Sequence, residues 1–351
     1  MADIGTLNST LGDSLFTYEE RVVVAVLVLI IFVVGTIGNC IVILAVMLSK
    51  QLQNNTNVFV VSLAATDLCY CLLLPVSNVA ALLSVDGWPL HSKGLCFLLA
   101  LMSFTCGGAS LYNLACIALN RLLLIRGPAA AYHWLFTPKK IVIMVVCTWA
   151  IPLVALLIPP AFGVGELGYD PGDNTCSDID YHPRSSDYQL VQAFCIYPIP
   201  LATIVISYSL IFVHVKRHFE RKEESFRSSH EMLSGARPDE TTRELEVRFK
   251  KRVNRQQLQI TTNLFMVSSA FVVFSAPYSF TLLVPHSGRV LLFLSVPFTF
   301  NSCLNPIIYT VNHPRFNRVI RCILRCRFGE IPKPSRLLLA ARAKCGSVQC
   351  E

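Results

Sequence analysis

Long apolar stretches separated by short charged segments dominate the pattern of this sequence. Each stretch meets the requirement of about 20 residues for a helix that crosses a bilayer core of about 30 Å. Each stretch taken alone could also be a buried helix of a large soluble protein. The seven together, however, leave no part of the chain that could form a soluble domain. The pattern therefore predicts an all-α, seven-transmembrane helix bundle. The stretches are 22–48, 58–84, 94–125, 141–162, 188–215, 257–283 and 290–311.

Basic residues set the orientation of the predicted bundle. The chain is 53% hydrophobic and 15% charged, whereas soluble domains carry about 25% charged residues. Of its 30 Lys and Arg residues, all but Arg21, Lys93, Arg184 and Arg289 fall on one side, which the positive-inside rule makes cytoplasmic. The net charge of +8 then matches anionic inner-leaflet lipid, and it is not an indication of nucleic-acid binding.

Before Arg21 no basic head precedes an apolar core, so we expect the first helix to act as an uncleaved anchor. The expected product is a multi-pass plasma-membrane protein with an extracellular N-terminus.

The segments outside the spans divide the chain into three parts. Residues 1–21 are the extracellular N-terminus, 22–311 the seven-transmembrane domain, and 312–351 an amphipathic helix with a cytoplasmic tail. Within the domain, 215–256 is a highly charged third cytoplasmic loop that we expect to fray away from the membrane. Basic and apolar positions alternate with helical spacing over 313–328, which predicts a short amphipathic eighth helix on the inner leaflet.

Several residues are candidates for covalent modification. Cys322 and Cys326 would face lipid on the eighth helix as palmitoylation sites, or would instead be two buried thiols. The sequon at Asn8 is extracellular and predicts a glycoprotein, whereas the sequon at Asn54 would lie in the cytoplasm as a chance match.

Two cysteines fall on the oxidising outer side, Cys96 at the start of the third helix and Cys176 in the long outer loop. A disulfide between them is the economical pairing, because no other outer cysteine competes. It would tether the loop over the bundle as a lid on an outward-facing pocket.

Polar residues inside spanning helices are costly and indicate function. Asp67 lies in the middle of the second span, Ser110 in the third, and Asn301, Ser302 and Asn305 in the seventh. One carboxylate with several hydroxyl and amide oxygens predicts a site for a small hard cation, most simply sodium. The alternative is a protonated Asp67 within a hydrogen-bond network. No other cofactor is expected.

The third helix carries one stripe of notable residues, Ser103, Gly107, Ser110 and Arg121. The first and last are five turns apart, about 27 Å along the axis. The stripe therefore runs from an outer pocket to a cytoplasmic arginine, which favours transmission across the membrane over transport. Four prolines inside the later spans permit kinks and pivoting; they are Pro159, Pro200, Pro277 and Pro306.

At this point the chain resembles class A (rhodopsin-like) G-protein-coupled receptors over essentially its whole length. The most specific marks are the NPIIY sequence before a basic amphipathic helix and the pair of outer cysteines. All the marks, in order, are Gly38-Asn39, Leu63-Ala64-x-x-Asp67, Trp88, Cys96, Asn120-Arg121-Leu122, Trp149, Pro200, Tyr208, Phe271, Pro277 and Asn305-Pro306-Ile307-Ile308-Tyr309.

The resemblance implies roles for these residues. Arg121, Tyr208 and Tyr309 would rearrange to open a cytoplasmic cleft for a heterotrimeric G protein. Phe271 would belong to the core switch beneath the ligand. The sodium residues would be those already named in the second, third and seventh spans. The full set implied in coupling and activation is Asn120, Arg121, Tyr208, Phe271, Pro277, Asn305, Pro306 and Tyr309.

Departures from the family pattern refine the expectation. Asn120 replaces the acid before the arginine, and Gln256 and Gln257 stand where the sixth helix usually carries a glutamate, so the arginine lacks a carboxylate partner. A neutral amide forms a weaker hydrogen bond than a charged one, which predicts measurable basal signalling. Ser103 replaces the aspartate of amine receptors, and Thr299 the retinal lysine of opsins. The chain looks most like melatonin receptors and Moody-type orphan receptors.

Two further departures are Leu122 in place of the aromatic residue after the arginine, and Ser275 in place of the usual tryptophan of the sixth helix.

The favoured function is a receptor that transmits a small neutral or lipid-like extracellular ligand signal to G proteins, with arrestin, a receptor kinase and membrane lipids as further partners. A peptide ligand is the alternative, because the outer loop DPGDNTCSDIDY is acidic. A seven-helix transporter and a ligand-independent scaffold are more distant alternatives, and no constellation for enzymatic catalysis is present. The predicted pocket residues are Ser103, Phe104, Gly107, Gln192, Tyr278, Ser295 and Thr299.

Overall fold

Eleven α-helices, two short 3-10 helices (Lys50–Leu52 and Phe328–Glu330) and one small hairpin form the regular structure of the described part of the chain in a computed structural model. It describes residues 17–84, 88–172, 174–232, 262, 265–281 and 288–348, with side chains except at 218–232, 288–289, 291 and 343–348. In chain order the elements are α1 (Tyr18–Leu48), α2 (Asn55–Leu83), α3 (Lys93–Ile125), α4 (Ala129–Leu135), α5 (Pro138–Ala161), β1 (Leu167–Asp170), β2 (Thr175–Asp178), α6 (Ser185–Ile196), α7 (Pro198–Met232), α8 (Phe265–Thr281), α9 (Gly288–Asn312), α10 (Pro314–Leu324) and α11 (Arg336–Val348).

Six helical segments of this part are long and apolar enough to cross a membrane, and α8 is a shorter apolar helix. The fifth of these spans consists of α6 and α7 together, and α9 carries the last. The predicted all-α bundle is confirmed. α3 lies at its centre and packs against α2, α5 and α7.

Helix ends differ from the predicted stretches because polar caps lie outside the apolar runs. α1 begins at Tyr18 rather than at 22, since Thr17 forms a capping box with Glu20. Asn54 and Ser92 are the N-cap residues of α2 and α3, respectively. The first helix therefore begins within the segment that was assigned to the N-terminus.

The segment predicted as the third cytoplasmic loop begins as a continuation of the preceding helix. α7 continues as a helix to Met232, well beyond the expected loop start at 215. The segment after residue 215 is rich in Arg, Lys and Glu, which are good helix formers in water, so charge alone does not end the helix. The remainder of the predicted loop, with Gln256 and Gln257, lies outside the described residues, as does Asn8.

Close helix contacts depend on two glycines. A Cβ added to Gly38 of α1 would lie 2.8 Å from the Pro306 ring on α9, and one added to Gly108 of α3 would lie 2.6 Å from Pro152 on α5. Neighbouring Asn39 donates from Nδ2 to the Ser302 carbonyl at 2.9 Å, which joins α1 to α9 a second time. These contacts bring the backbones together where polar groups need partners.

On the outer side, β1 and β2 form an antiparallel hairpin with Tyr169 opposite Cys176. Cys176 is joined to Cys96 at the top of α3 by a disulfide. The hairpin packs against α3. The tether therefore places β2 above the interior of the bundle, in the arrangement that the two outer cysteines predicted.

On the cytoplasmic side, the segment after α10 turns back to the first span. The Lys50 N–H donates to the Lys333 carbonyl at 2.8 Å, and the Ser335 N–H donates to the Leu48 carbonyl at 2.9 Å. The hydroxyl of Ser49 donates to the Pro332 carbonyl at 2.7 Å. We call residues 331–338, which make these contacts, the returning tail.

The eighth helix is shorter than predicted and faces protein rather than lipid. α10 ends at Leu324, because Cys326 adopts a left-handed φ of 54° in the turn that follows. Its apolar face is buried in the same core as Ile331 and Leu338 of the returning tail. Cys322 packs against that core and is half-buried, whereas Cys326 is exposed. The two predicted palmitoylation sites therefore stand in different surroundings.

Candidate functional site

A cavity of about 400 Å³ opens beneath β2 between the outer halves of the spans. Most of its lining is apolar, and Asp178 is the one charged side chain among its described lining residues. All seven predicted pocket residues line this cavity. They are Ser103, Phe104 and Gly107 on α3, Gln192 on α6, Tyr278 on α8, and Ser295 and Thr299 on α9.

Two polar groups in this lining have no hydrogen-bond partner. Gln192 is 9% exposed and its Nε2 is unpaired, and the hydroxyl of Ser103 is buried and unpaired. Buried polar atoms are usually paired, and leaving one unpaired costs about 1–3 kcal/mol. Both residues line the cavity, but the two unpaired atoms have almost no accessible surface, so each side chain would have to rotate to meet the hydrogen-bond acceptor of a ligand.

The outer wall of the cavity contains a carboxyl–amide contact between the hairpin and α6. Gln189 Nε2 donates to Asp178 Oδ2 at 2.8 Å and to Asp180 Oδ1 at 3.0 Å. Burial raises the pKa of Asp178, and burial together with the neighbouring carboxylates raises the pKa of Asp180 to about 6. Burial thus disfavours the charged form of both carboxyls, although with a pKa of about 6 Asp180 remains mainly ionised at neutral pH.

The floor of the cavity is shared with a second, much smaller cavity below it. Phe271, Phe298, Tyr70 and Gly107 line both. Ser275, at the place where the family usually has a tryptophan, donates its hydroxyl to the Phe271 carbonyl at 2.6 Å and does not fill this space. Phe271 is therefore the large side chain of α8 that separates the two cavities.

The lower cavity, of about 20 Å³, lies against Asp67. Asn305 donates to Asp67 Oδ2 at 2.6 Å and Ser110 donates to Asp67 Oδ1 at 3.0 Å. Ser302 and Asn301 also line the cavity, and both side-chain polar atoms of Asn301 are buried without a partner. Four of the five predicted residues thus line a space for one water or one small ion, and the fifth, Asn305, is joined to them through Asp67.

Arg121 is buried at the inner end of α3, with 5% of its surface exposed. Within the described residues no carboxylate lies at ion-pair distance, and its Nε has no partner. The hydroxyls of Tyr132, Tyr208 and Tyr309 lie close enough to interact with the guanidinium electrostatically. The predicted lack of an acidic partner holds for this part of the chain.

Asn120 does not hydrogen-bond to Arg121, contrary to the sequence interpretation. Its Oδ1 accepts from the Thr56 hydroxyl on α2 at 2.5 Å, and its Nδ2 is buried and unpaired. Neighbouring positions on a helix face in different directions, which explains the difference. Thr56, which the sequence did not single out, is the partner of this residue.

Tyr208 and Tyr309, which the resemblance implied would rearrange together with Arg121, are also buried. Tyr208 accepts a long hydrogen bond of 3.5 Å from the Ser268 hydroxyl of α8. The ring of Tyr309 stacks on Phe316 of α10 at 5.4 Å, while its hydroxyl has no partner. Both hydroxyls are thus weakly held and close to Arg121, where small helix movements would change their partners.

Comparison with known proteins decides the family. The model of the seven-transmembrane receptors of the rhodopsin family matches residues 38–309. This chain belongs to that family. The receptor is 29% identical to the melatonin receptor type 1B-B of Danio rerio over 329 residues, which is 90% of this chain and 85% of the relative. It is 30% identical to the mouse (Mus musculus) melatonin receptor type 1B over 308 residues, 83% and 74% of the two chains.

The crystal structure of squid rhodopsin superposes with a TM-score of 0.71 at 20% identity and covers 89% of this chain and 88% of that one, which confirms the fold. The receptor is a G-protein-coupled receptor of class A that resembles melatonin receptors, and its relatives are signalling receptors rather than enzymes.

Some residues of the site carry no single-position signal in the sequence. Tyr70 and Phe298 look like ordinary apolar-helix residues, yet both line the two cavities. Thr56 lies in a stretch whose only motif is an unused sequon. Helical spacing relative to Asp67 and Asn305 would have pointed to Tyr70 and Phe298, since positions three, four or seven residues apart share a helix face.

Proposed function

We propose that the receptor binds a small, uncharged and largely apolar ligand in the 400 Å³ cavity and passes the signal to a heterotrimeric G protein at Arg121. The observation that carries the ligand class is the cavity lining, which is mainly apolar and contains two unpaired polar groups, on Gln192 and Ser103. Such a lining rewards apolar contact and one or two hydrogen bonds, which is the usual composition of small-molecule sites.

A peptide ligand is less well supported than the acidity of the outer loop suggested. Asp170 is 3% exposed and accepts from the backbone N–H groups of Gly172 and Asp180. Asp178 is also buried and is paired with Gln189. Carboxylates that hold the loop in place are not available to a basic peptide, so the acidic loop serves as a lid.

A sodium ion as allosteric cofactor is proposed for the cavity at Asp67. The residues fit such an ion, because Asn301 offers a buried amide oxygen without a partner beside the Asp67 carboxylate and the Ser110 hydroxyl. Hard cations are bound by oxygen ligands of this kind. The ion would supply a positive charge that keeps Asp67 ionised and holds α2, α3 and α9 together.

Coupling to the G protein would follow from the stripe along α3. Phe271 lies between the ligand cavity and the cavity at Asp67, and below these Arg121 lies among tyrosine hydroxyls. We propose a plasma-membrane location with the N-terminus outside, supported by the disulfide on one side and the basic residues on the other. Arrestin and a receptor kinase are proposed as further cytoplasmic partners.

The experiment is a screen of neutral small molecules and lipids against the receptor, read out by G-protein dissociation in cells. Arg121→Ala should abolish the response at normal surface expression, which separates coupling from ligand binding. For any active compound, Gln192→Ala should weaken potency by removing the amide donor from the cavity.

Gln53→Ala is the matched control for that substitution, because this glutamine does not line the cavity and its amide donates to the Val46 carbonyl at the inner end of the first span. Equal losses in Gln192→Ala and Gln53→Ala would contradict the assignment of the cavity. Unchanged signalling by Arg121→Ala would contradict the coupling site.

A further inference from the structure

Two cysteine thiols meet across the interface between α2 and α3. Cys69 lies on α2 and Cys106 on α3, both are free thiols, and their side chains form a hydrogen bond with each other. Cys106 is fully buried and Cys69 is half-buried. The interface between these two helices therefore carries a pair of reduced sulfur atoms in direct contact.

A polar contact one turn farther inward explains why the two cysteines meet. The hydroxyls of Thr66 on α2 and Ser110 on α3 are 2.8 Å apart. Cys69 follows Thr66 by three residues and Cys106 precedes Ser110 by four, which is one turn in the outward direction on each of these antiparallel helices. Positions three or four residues apart share a helix face. Both cysteines therefore face the same interface as the two hydroxyls.

The spacing of packed helices suits a disulfide at this place. Packed helices have axes about 8–10 Å apart and Cα atoms about 2.3 Å from each axis, so directly facing Cα atoms come within the about 4.4–6.8 Å that a disulfide spans. The hydroxyl contact of Thr66 with Ser110 shows that α2 and α3 are close at this level. A small movement of the two side chains would therefore bring the sulfur atoms to bonding distance.

The thiol pair lies at the floor of the ligand cavity. Cys106 lines the lower cavity, its neighbour Gly107 lines both cavities, and so does Tyr70, which follows Cys69. Cys69 is at the middle of the second span, 14 residues from either end. A covalent bond between the thiols would thus fix α2 to α3 at the level where the two cavities adjoin.

A second pair of buried thiols nearby differs in its hydrogen bonding. A Cβ added to Gly35 would contact the sulfur atoms of both Cys71 and Cys303, so these two thiols are also close to each other. The Cys303 thiol, however, donates to the Ile31 carbonyl at 3.3 Å. Its proton is directed at the backbone, whereas the other pair shares a hydrogen bond between its own sulfur atoms.

Oxidation of a thiol pair by a peroxide balances without a further reactant. One sulfur, as the thiolate, attacks an oxygen of hydrogen peroxide and breaks the O–O bond, which gives a sulfenic acid and, with the thiol proton, one water. The second sulfur attacks the sulfenic sulfur, the S–S bond forms, and the hydroxyl leaves with the second thiol proton as another water. Two thiols lose two electrons and one peroxide gains them. The neighbouring S–H can stabilise the reacting thiolate by a charge-assisted hydrogen bond.

We propose that Cys69 and Cys106 form an oxidisable dithiol site, which a peroxide converts into a disulfide that fixes α2 to α3 and lowers G-protein activation. The effect on signalling rests on the proposed function, whereas formation of the disulfide does not. We expect the lowering because the contact of Asn120 with α2 breaks when the inner ends of the spans separate, and a covalent bond in the same interface opposes that separation.

The test uses full-length receptor in cell membranes treated with hydrogen peroxide. The remaining thiols are then blocked with N-ethylmaleimide in detergent, and peptides are analysed by mass spectrometry without reduction. A peptide pair joined through residues 69 and 106, lighter than the two separate peptides by two hydrogen atoms, should appear after peroxide and disappear after dithiothreitol. Ligand-free G-protein dissociation, measured on the same membranes, should fall with peroxide and recover with dithiothreitol.

Three variants separate this site from other effects of the oxidant. Cys69→Ser and Cys106→Ser should each lose both the linked peptide and the peroxide-dependent fall in G-protein dissociation. Cys71→Ser is the matched control, because it removes a thiol from the same helix two residues farther on, and it should keep both. Because peroxide also oxidises other membrane proteins, the effect on signalling is the difference between the native receptor and Cys69→Ser.

Several results would overturn the proposal. They are the absence of a linked peptide, a peptide joined through Cys71 and Cys303 in its place, a linked peptide without a fall in G-protein dissociation, and an equal fall in Cys69→Ser. A receptor that forms the linked peptide but activates no G protein before oxidation would contradict the proposed function and would still establish the thiol site.

Discussion

Asn120→Asp tests whether the contact between α2 and α3 sets basal signalling. In the structure the Thr56 hydroxyl donates to Asn120 Oδ1 at 2.5 Å, in a buried site beside Arg121. We expect this contact to break when the inner ends of the spans separate for a G protein. A carboxylate at residue 120 would accept the same bond, and its charge would be balanced by the adjacent guanidinium.

The size of the effect follows from the kind of hydrogen bond. A neutral hydrogen bond contributes about 0.5–1.5 kcal/mol and one to a charged group about 1.5–3 kcal/mol, so the substitution should stabilise the closed arrangement by about 1 kcal/mol. That difference is a factor of about five in a two-state equilibrium. Basal activity should fall about fivefold.

The assay is ligand-free G-protein dissociation, normalised to receptor at the cell surface. Thr56→Val provides the control, since it removes the donor while keeping the shape of the side chain. In the double variant, Asn120→Asp should have much less effect than it has alone. An unchanged or increased basal signal in Asn120→Asp would refute the reasoning. An equal fall in basal activity in the double variant would show that the carboxylate at residue 120 acts through Arg121 rather than through Thr56.

Four other predictions follow from the structure. Replacing choline chloride with sodium chloride should lower basal G-protein activation in membranes, and Asp67→Ala should remove this dependence; a dependence that persists in the variant would refute the sodium site. Cys326→Ser should remove most palmitate in an acyl-exchange assay and Cys322→Ser little, because only Cys326 is exposed; equal losses would contradict this. The folded pKa of Asp180 is raised to about 6 from an ordinary value near 3.8, so the outer hairpin should be most stable below pH 4 and lose that stability as the pH rises through 6. Protection factors of β1 and β2, which are exchange rates corrected for the base-catalysed intrinsic rate, should therefore fall between pH 4 and pH 6, and Asp180→Asn should reduce that fall. Leu338→Ala truncates a side chain that is 5% exposed, which should cost about 2–5 kcal/mol of packing free energy and increase hydrogen exchange in the returning tail. Protection equal to that of the native chain would show that the tail is held by its backbone contacts alone.

The positions of the spans were predictable because the bilayer imposes a length on apolar helices. All seven stretches have a helical counterpart among the described residues, and the errors lie at the ends. Thr17 extends α1 through a cap that hydropathy does not detect, and α7 extends into water on residues whose helix propensity outweighs their charge. These are local effects, and placing the ends of a helix at the nearest charged residues does not capture them.

The clustering of the sodium residues was predictable for a different reason. A carboxylate and amides buried in several spans have few partners other than each other, so Asp67 and Asn305 were expected to meet, and they do at 2.6 Å. The contact of Thr56 with Asn120 could not be predicted in this way. It joins residues 64 positions apart, and either side chain had other plausible partners in a polar cytoplasmic environment.

The break at Tyr197 and the returning tail show two further limits. Pro200 indicated a point of bending in the fifth span, but only the structure shows that the helix breaks at Tyr197 and that this break lines the cavity. The tail has no apolar run long enough to predict docking. Its contacts are mainly backbone hydrogen bonds to Leu48 and Lys50, which depend on position rather than on side-chain type.

The returning tail also has a consequence for the order in which the receptor is made. The first span leaves the ribosome early, but the partner of Ser49 lies 283 residues later in the chain. At about 5–20 residues per second, synthesis of that interval takes about 15–60 s. During that time the inner end of the first span lacks its final backbone partners and remains open to chaperones. A premature stop codon shortly before residue 331 would therefore leave a defect at the beginning of the receptor rather than at its end.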